Sequence, residues 1–269
     1  MLKRVLTSVL AFPLLIIALV FGGIPLLVGI AAASVIGQIE LSKAICKRLS
    51  IVHYISILAS LVYITLLHDY FIGAFLLEIT IIFLLISMIL FLFARLDIKV
   101  QDISTALFSF FYITLLVSTV YAIRYQEMGG NTVWLVFIAA WGSDTGAFFV
   151  GRAFGKRKLA PKLSPNKTVA GSIGGVCSAF VIASTYGLVL YFMDILEFYA
   201  VFLFGAIAFV GSIFGQIGDL VASNIKRQVD IKDFGTAFPG HGGVLDRFDS
   251  ILFVSPVVYL LLELVLFLR

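Results

Sequence analysis

The segment KRQVDIKDFGTAFPGHGGVLDRFD, residues 226–249, carries four Lys/Arg, four Asp and one His in a chain that is only 13% charged. Asp246 and Asp249 stand three residues apart, with Arg247 between them, on what reads as the first turn of the last helix. Helix capping and the N-terminal dipole explain one acid there, but not a pair beside an arginine. Upstream, Asp219 and Ser223 lie one helical turn apart, and Lys226 and Arg227 continue that polar stripe. A further stretch, WGSDTGAFFVGRAFGKRKLAPKLSPNKT at 141–168, places Asp144 eight residues before Arg152, which is roughly 12 Å along a helix. A carboxylate at that depth is either a packing acid bonded to a neighbour or part of a watery cavity. Gly142 and Gly146, at small-xxx-small spacing, predict a tight helix contact beside it.

Six bases and no acid follow between Arg152 and Thr168, among them Lys156, Lys158, Lys162 and Lys167. Such a loop answers anionic lipid headgroups or receives an anionic substrate. Pro165 is expected to fix a turn that aims the Ser164 and Thr168 hydroxyls and Lys167 at one phosphate. The PGHGG run, with His241, Gly242 and Gly243, needs glycine's backbone freedom and can expose N–H groups to phosphate oxygens. It fits neither a P-loop nor a dinucleotide fingerprint. Carboxylate oxygens combined with many cations are what Mg²⁺ needs to bridge a protein and substrate phosphates. The chemistry so indicated is phosphoryl or nucleotidyl transfer, in which positioning and charge neutralisation do most of the catalysis.

These residues must be held by membrane helices. The 269 residues are 61% apolar with 26 Phe, and the mean hydropathy is +1.13, so the bilayer is the solvent. The expected fold is an all-α polytopic bundle. Apolar windows predict about nine crossings, near 4–22, 24–45, 51–67, 70–94, 103–123, 132–152, 171–193, 198–222 and 249–268. The break at FGGIP, between the first two, is the weakest of these. With the N-terminus cytoplasmic, 17 of the 19 Lys and Arg fall on the inner side, and only Arg124 and Arg269 fall outside. The basic start resembles a signal peptide, but the AAAS at 31–34 is too far downstream for cleavage, so a retained first helix is expected. Cys46 and Cys177 both sit in apolar runs and indicate neither a disulfide framework nor a thiolate metal site. The chain reads as one membrane domain, with 1–130 mainly scaffold and 131–269 holding the catalytic helices and loops.

Residues 223–249 resemble the signature of the phosphatidate cytidylyltransferases, the CDP-diacylglycerol synthases: Ser223, Lys226, Arg227, Lys232, Asp233, Gly235, Phe238, Pro239, His241, Gly242, Gly243, Val244, Asp246, Arg247, Phe248 and Asp249 all match. The stretch at 141–168 looks like the family's second most recognisable region, whereas the first half resembles it only in hydropathy. The resemblance implies an Mg²⁺-dependent reaction of CTP with phosphatidate at the cytoplasmic face of the inner membrane, giving CDP-diacylglycerol and pyrophosphate. It implies Asp219 and Asp246 as metal ligands, with Asp249 and Asp144 as a second tier and a second metal ion as an option. Lys167, Lys226 and Arg247 would grip phosphates, and Lys232, Asp233 and His241 would shape the nucleotide side. Membrane lipids are expected partners and a nucleic acid is not; a homodimer is compatible with the small-residue faces. The competing reading is an ion-coupled transporter that uses Glu40, Glu78 and Glu263. The spaced-Asp pattern of CDP-alcohol phosphotransferases is absent.

Overall fold

The structure is a computed structural model. It describes residues 2–68, 75–94, 97–238 and 242–268, with side chains from Phe12 onward. His241 and Pro239 of the expected site lie outside the described residues. The helical rods are α1 (Leu2–Phe21), α2 (Gly23–Cys46), α3 (Ile51–Leu66), α4 (Leu76–Phe93), α5 (Val100–Tyr125) and α6 (Gly129–Phe154). They are followed by α7 (Val169–Phe192), α8 (Tyr199–Gln228) and α9 (Leu245–Phe267). Each predicted apolar window overlaps one of them, residues 70–74 of the fourth lying outside the described residues. Seven are long and apolar enough to cross a membrane by themselves, and Phe12–Phe21 and Ile51–Leu66 are shorter apolar helices. Lipid-facing character is plain on α4, where Leu77, Leu85, Leu92 and Phe93 are exposed.

Two compact units divide the chain: residues 1–125 with 228–248, and residues 126–227 with 249–269. In the first, α2, α3 and α5 surround a buried polar knot. Gln38 Nε2 donates to Ser60 Oγ at 2.5 Å and Thr114 Oγ1 at 2.8 Å, while Ser56 Oγ donates to Gln38 Oε1 at 2.9 Å. All four side chains are buried. Thr114 lies in a π-helical stretch, Phe110–Leu115, inside α5. The break between α1 and α2 is real: Gly22 and Gly23 have φ of 64° and 50°, which favour glycine. Arg124 closes it by donating to the Leu19 and Val20 carbonyls at 2.9 Å, capping α1 with positive charge.

At the opposite ends of these helices, Cys46, His53 and Asp102 bring one ligand-type atom each within 4.8 Å of one another. They are already bonded locally. Arg48 pairs with Asp102 at 2.9 Å, the Ser50 N–H donates to His53 Nδ1 at 3.0 Å, and the Cys46 thiol faces Thr105 Oγ1 at 3.4 Å.

In the second unit, α6 and α7 touch through glycine, as Gly142 and Gly146 predict. A Cβ on Gly146 would overlap the Ser178 side chain and come within 2.9 Å of the Gly174 carbonyl, and one on Gly142 would meet Ile182 at 3.2 Å. The glycines of α8 do the same for α9: Gly211 faces Val258, Gly215 faces Val254, and a Cβ on Gly218 would lie 2.6 Å from the Asp249 carbonyl. Gln216 ties three helices together, donating to Ser143 Oγ of α6 at 3.1 Å and to the Ser172 carbonyl of α7 at 3.0 Å.

Between α6 and α7 the chain forms an antiparallel hairpin, β1 (Lys158–Ala160) and β2 (Ser164–Thr168), an element the all-helical reading did not anticipate. The expected turn at Pro165 is corrected here. Pro165 stands inside β2, and the reversal occurs at 161–163. The pairing is irregular, Lys158 standing opposite Thr168 and Ala160 opposite Ser164, so a step of two residues along β1 spans four along β2.

Candidate active site

Within the second unit, three helices and the hairpin converge on one charged cluster. Asp144 comes from α6, Asp219 from α8 and Asp249 from α9, and electrostatic interaction links Asp144 with Asp219 and both with Asp249. Lys167, from β2, forms an ion pair with Asp219, and both side chains are partly buried. Its charge also acts on Asp144, and that of Lys226 acts on Asp249. Asp219, Ser223 and Lys226 sit at i, i+4 and i+7 on α8, one face, and Ser223 Oγ donates to Asp219 Oδ1 at 3.4 Å.

The backbone makes this convergence attainable. The 30 residues of α8 span about 45 Å, which exceeds the ~30 Å hydrocarbon core. Its C-terminal turns can therefore carry charge beyond the lipid tails. The close approach at Gly218 brings the helix carrying Asp219 against the backbone of Asp249. Asp144 lies within reach of the charges of Asp219 and Lys167, so it belongs to their cluster rather than standing alone on α6.

The remaining cations of this unit are peripheral. Lys156, Lys158 and Lys162 are exposed on and around the hairpin, and Arg227 is exposed near the end of α8. Ser164 is half-buried. Thr168 has another duty: it is the N-cap of α7, accepting the Gly171 N–H at 3.1 Å, and it packs against Gly151 and Gly155.

The other half of the signature belongs to the first unit. Asp246 Oδ2 accepts the N–H groups of Phe234 at 2.8 Å and Gly243 at 3.0 Å, which fixes the turn leading into α9. Gly242 has φ of 86°, and a Cβ there would meet Asp246 Oδ2 at 2.9 Å and Asp233 Oδ1 at 3.3 Å. Lys232, Asp233 and Arg247 are exposed around this turn. The expected phosphate cradle of backbone N–H groups is corrected at its end. The Gly243 N–H is taken by Asp246, and those of Val244 and Leu245 are taken by Glu40 at 3.0 and 2.9 Å.

Gln216 was not picked out from the sequence, and Glu40 was named only as an acid of the transporter reading. Neither carries a local signal, since each gains its meaning from partners far along the chain. Two of the three acids of the transporter reading are hydrogen-bonded within their own units. Glu40 binds those backbone groups, Glu263 accepts from Gln126, and Glu78 is exposed in the first turn of α4.

For a divalent cation the donor set is suitable. Asp144, Asp219 and Asp249 offer hard carboxylate oxygens from separate helices, with cations close by to receive phosphate charge. That combination suits handling of a metal-bound polyphosphate.

Comparison with known proteins gives the same direction. Residues 2–265 match the family model described as "Cytidylyltransferase family". The chain is similar to the phosphatidate cytidylyltransferase of Bacillus subtilis (strain 168), with 34% identity over 269 residues, covering 97% of each chain. It is also similar to proteins of that name from Staphylococcus saprophyticus, 39% identical over 163 residues and 60% of each chain, and Staphylococcus aureus (strain COL), 42% identical over 137 residues and 51% of each chain.

Proposed function

We propose, from the premise that this chain belongs to the cytidylyltransferase family and is a membrane-embedded nucleotidyltransferase, that it joins CTP to phosphatidate and releases pyrophosphate. The observation that supports this most is the cluster of Asp144, Asp219 and Asp249 with Lys167 and Lys226. The product is CDP-diacylglycerol. An oxygen of the lipid phosphate bonds to the α-phosphorus of CTP, the bond from that phosphorus to the bridging oxygen breaks, and pyrophosphate leaves with the electron pair. A phosphate monoester has a second pKa of about 6, so the attacking oxygen is already ionised near neutral pH and needs no dedicated base.

Repulsion is then the main barrier. Unit charges 4 Å apart repel by about 4 kcal/mol at an effective dielectric near 20, and these substrates carry several charges each. Asp219 and Asp249, with Asp144 beside them, are the described carboxylates that would hold Mg²⁺, and Asp246 joins this proposal on the sequence pattern. When bound, the ion would neutralise phosphate charge and align the CTP phosphates. Lys167 and Lys226 hold phosphate oxygens, with Arg247 and Ser223 as further contacts. Lys167 is paired with Asp219 in the structure, which keeps its charge beside the carboxylates before substrate arrives. The exposed Lys156, Lys158 and Lys162 draw CTP from solution and Arg227 and Lys232 extend that field. The proposal places this chemistry at the cytoplasmic face of the inner membrane, where the positive-inside partition puts these loops.

The test is direct. Purified protein in detergent is incubated with CTP labelled on the α-phosphate, phosphatidate and Mg²⁺. The label should pass into lipid with one pyrophosphate released per lipid formed; no labelled lipid under any divalent-ion condition refutes the assignment.

A further inference from the structure

Glu40 is an acid in the middle of the sequence half that shows no site chemistry, yet only 7% of it is exposed. Its carboxylate reaches a segment 204 and 205 positions away. Oε1 accepts the Val244 N–H at 3.0 Å, and Oε2 accepts the Leu245 N–H at 2.9 Å. Leu245 is the first residue of α9, whose opening N–H groups have no intrahelical acceptor. Val244, which precedes it, has no side-chain oxygen to cap them. The cap is therefore supplied by another helix, with a charged acceptor whose sign suits the helix N-terminus.

The loop is shaped around that carboxylate. A Cβ built on either Gly235 or Gly243 would overlap the Glu40 carboxylate, so both positions need glycine to admit it. Asp246 works on the same turn from inside, binding the Phe234 and Gly243 N–H groups. Glu40 and Asp246 thus hold consecutive backbone donors at 243, 244 and 245.

We infer that Glu40 is a positioning residue of the nucleotidyl-transfer site, fixing the backbone at 243–245 and the first turn of α9 through the Val244 and Leu245 amides. The inference rests on the function proposed above, because Asp246 and Asp249 matter to catalysis only under that reading. A helix that starts without its cap frays over its first turn, which carries Asp246 and leads directly into Asp249. Outer contacts of this kind change activity by about 10–100-fold when removed, without themselves touching the substrate.

The experiment uses the full-length protein in detergent and Glu40→Gln, which keeps the size but replaces one acceptor oxygen with an amide donor facing a donor. The expected result is a kcat lower by about 10–100-fold with the KM values for CTP and phosphatidate moving much less. Amide hydrogen exchange should quicken across 234–246 while the amides of α2 keep their protection. Glu40→Asp, which retains both acceptors on a shorter arm, should recover part of the loss. Gly243→Ala reports the same contact from the loop side and serves if Glu40→Gln does not fold. It should be harmful beside Glu40 and nearly harmless in a Glu40→Ala background. Unchanged kcat or unchanged exchange in Glu40→Gln overturns the inference, as do losses from Gly243→Ala and Glu40→Ala that simply add. If the unaltered protein makes no CDP-lipid, the proposed function falls instead, and hydrogen exchange still decides whether Glu40 holds the turn.

Discussion

Gln38 in the first unit and Asp219 in the second both place polar atoms among apolar helices, but their surroundings differ in kind. Around Gln38 every partner is a neutral hydroxyl or carbonyl, the side chains are buried, and donors meet acceptors at 2.5–2.9 Å. Around Asp219 the partners are a lysine, a serine and two more carboxylates, all of them at least partly accessible. A saturated neutral network locks helices together and has little capacity left for a ligand. Like-charged acids gathered beside cations are poor packing on their own, and under the proposed function a divalent cation and substrate phosphates would offset their repulsion. The contrast is between a closed neutral network and an accessible charged one within one membrane protein.

Breaking the charged side should give the largest effect. Asp219→Asn removes a proposed metal ligand and the partner of Lys167, so turnover should fall by more than about 100-fold, beyond the usual loss for an outer-shell contact. The thermal melting midpoint in detergent should hardly move, and assays of labelled CDP-lipid beside a melting curve check both. Lys167→Met should follow, with kcat/KM for CTP down by roughly 10–100-fold, about 1.4 kcal/mol for each factor of ten; steady-state kinetics over a CTP series measures it. The neutral side should respond in the opposite sense. Gln38→Leu leaves the Ser56, Ser60 and Thr114 hydroxyls short of a partner, which costs about 1–3 kcal/mol of stability. Turnover per folded molecule should stay near that of the unaltered protein. A Gln38→Leu variant that is stable but inactive would erase the distinction between the units.

What could be read from the sequence follows from how local each signal is. The helical rods were legible because hydropathy over some 20 residues is a local property, and the glycine contacts of α6 because small-xxx-small spacing marks one helix face. Asp144, Asp219 and Asp249 stood out because an acid among apolar residues needs a reason. The hairpin was hidden, since its strands have three and five residues, and Pro165 reads as a turn former. The Glu40 contact was hidden for a different reason: its partners lie more than 200 positions away, and nothing near residue 40 hints at them. Glycine at 243 was read as backbone freedom that exposes N–H groups, yet what lies against it is the Glu40 carboxylate.

The central claim is that the Asp219 and Asp249 carboxylates hold a divalent cation. Mn²⁺, a paramagnetic stand-in for Mg²⁺, can be titrated into detergent-solubilised protein with CTP present and its binding followed by electron paramagnetic resonance. The account predicts saturable binding that weakens by about tenfold or more in both Asp219→Asn and Asp249→Asn and is unchanged in Gln38→Leu. Mn²⁺ binding of equal affinity in the unaltered protein and in both Asp variants would contradict it.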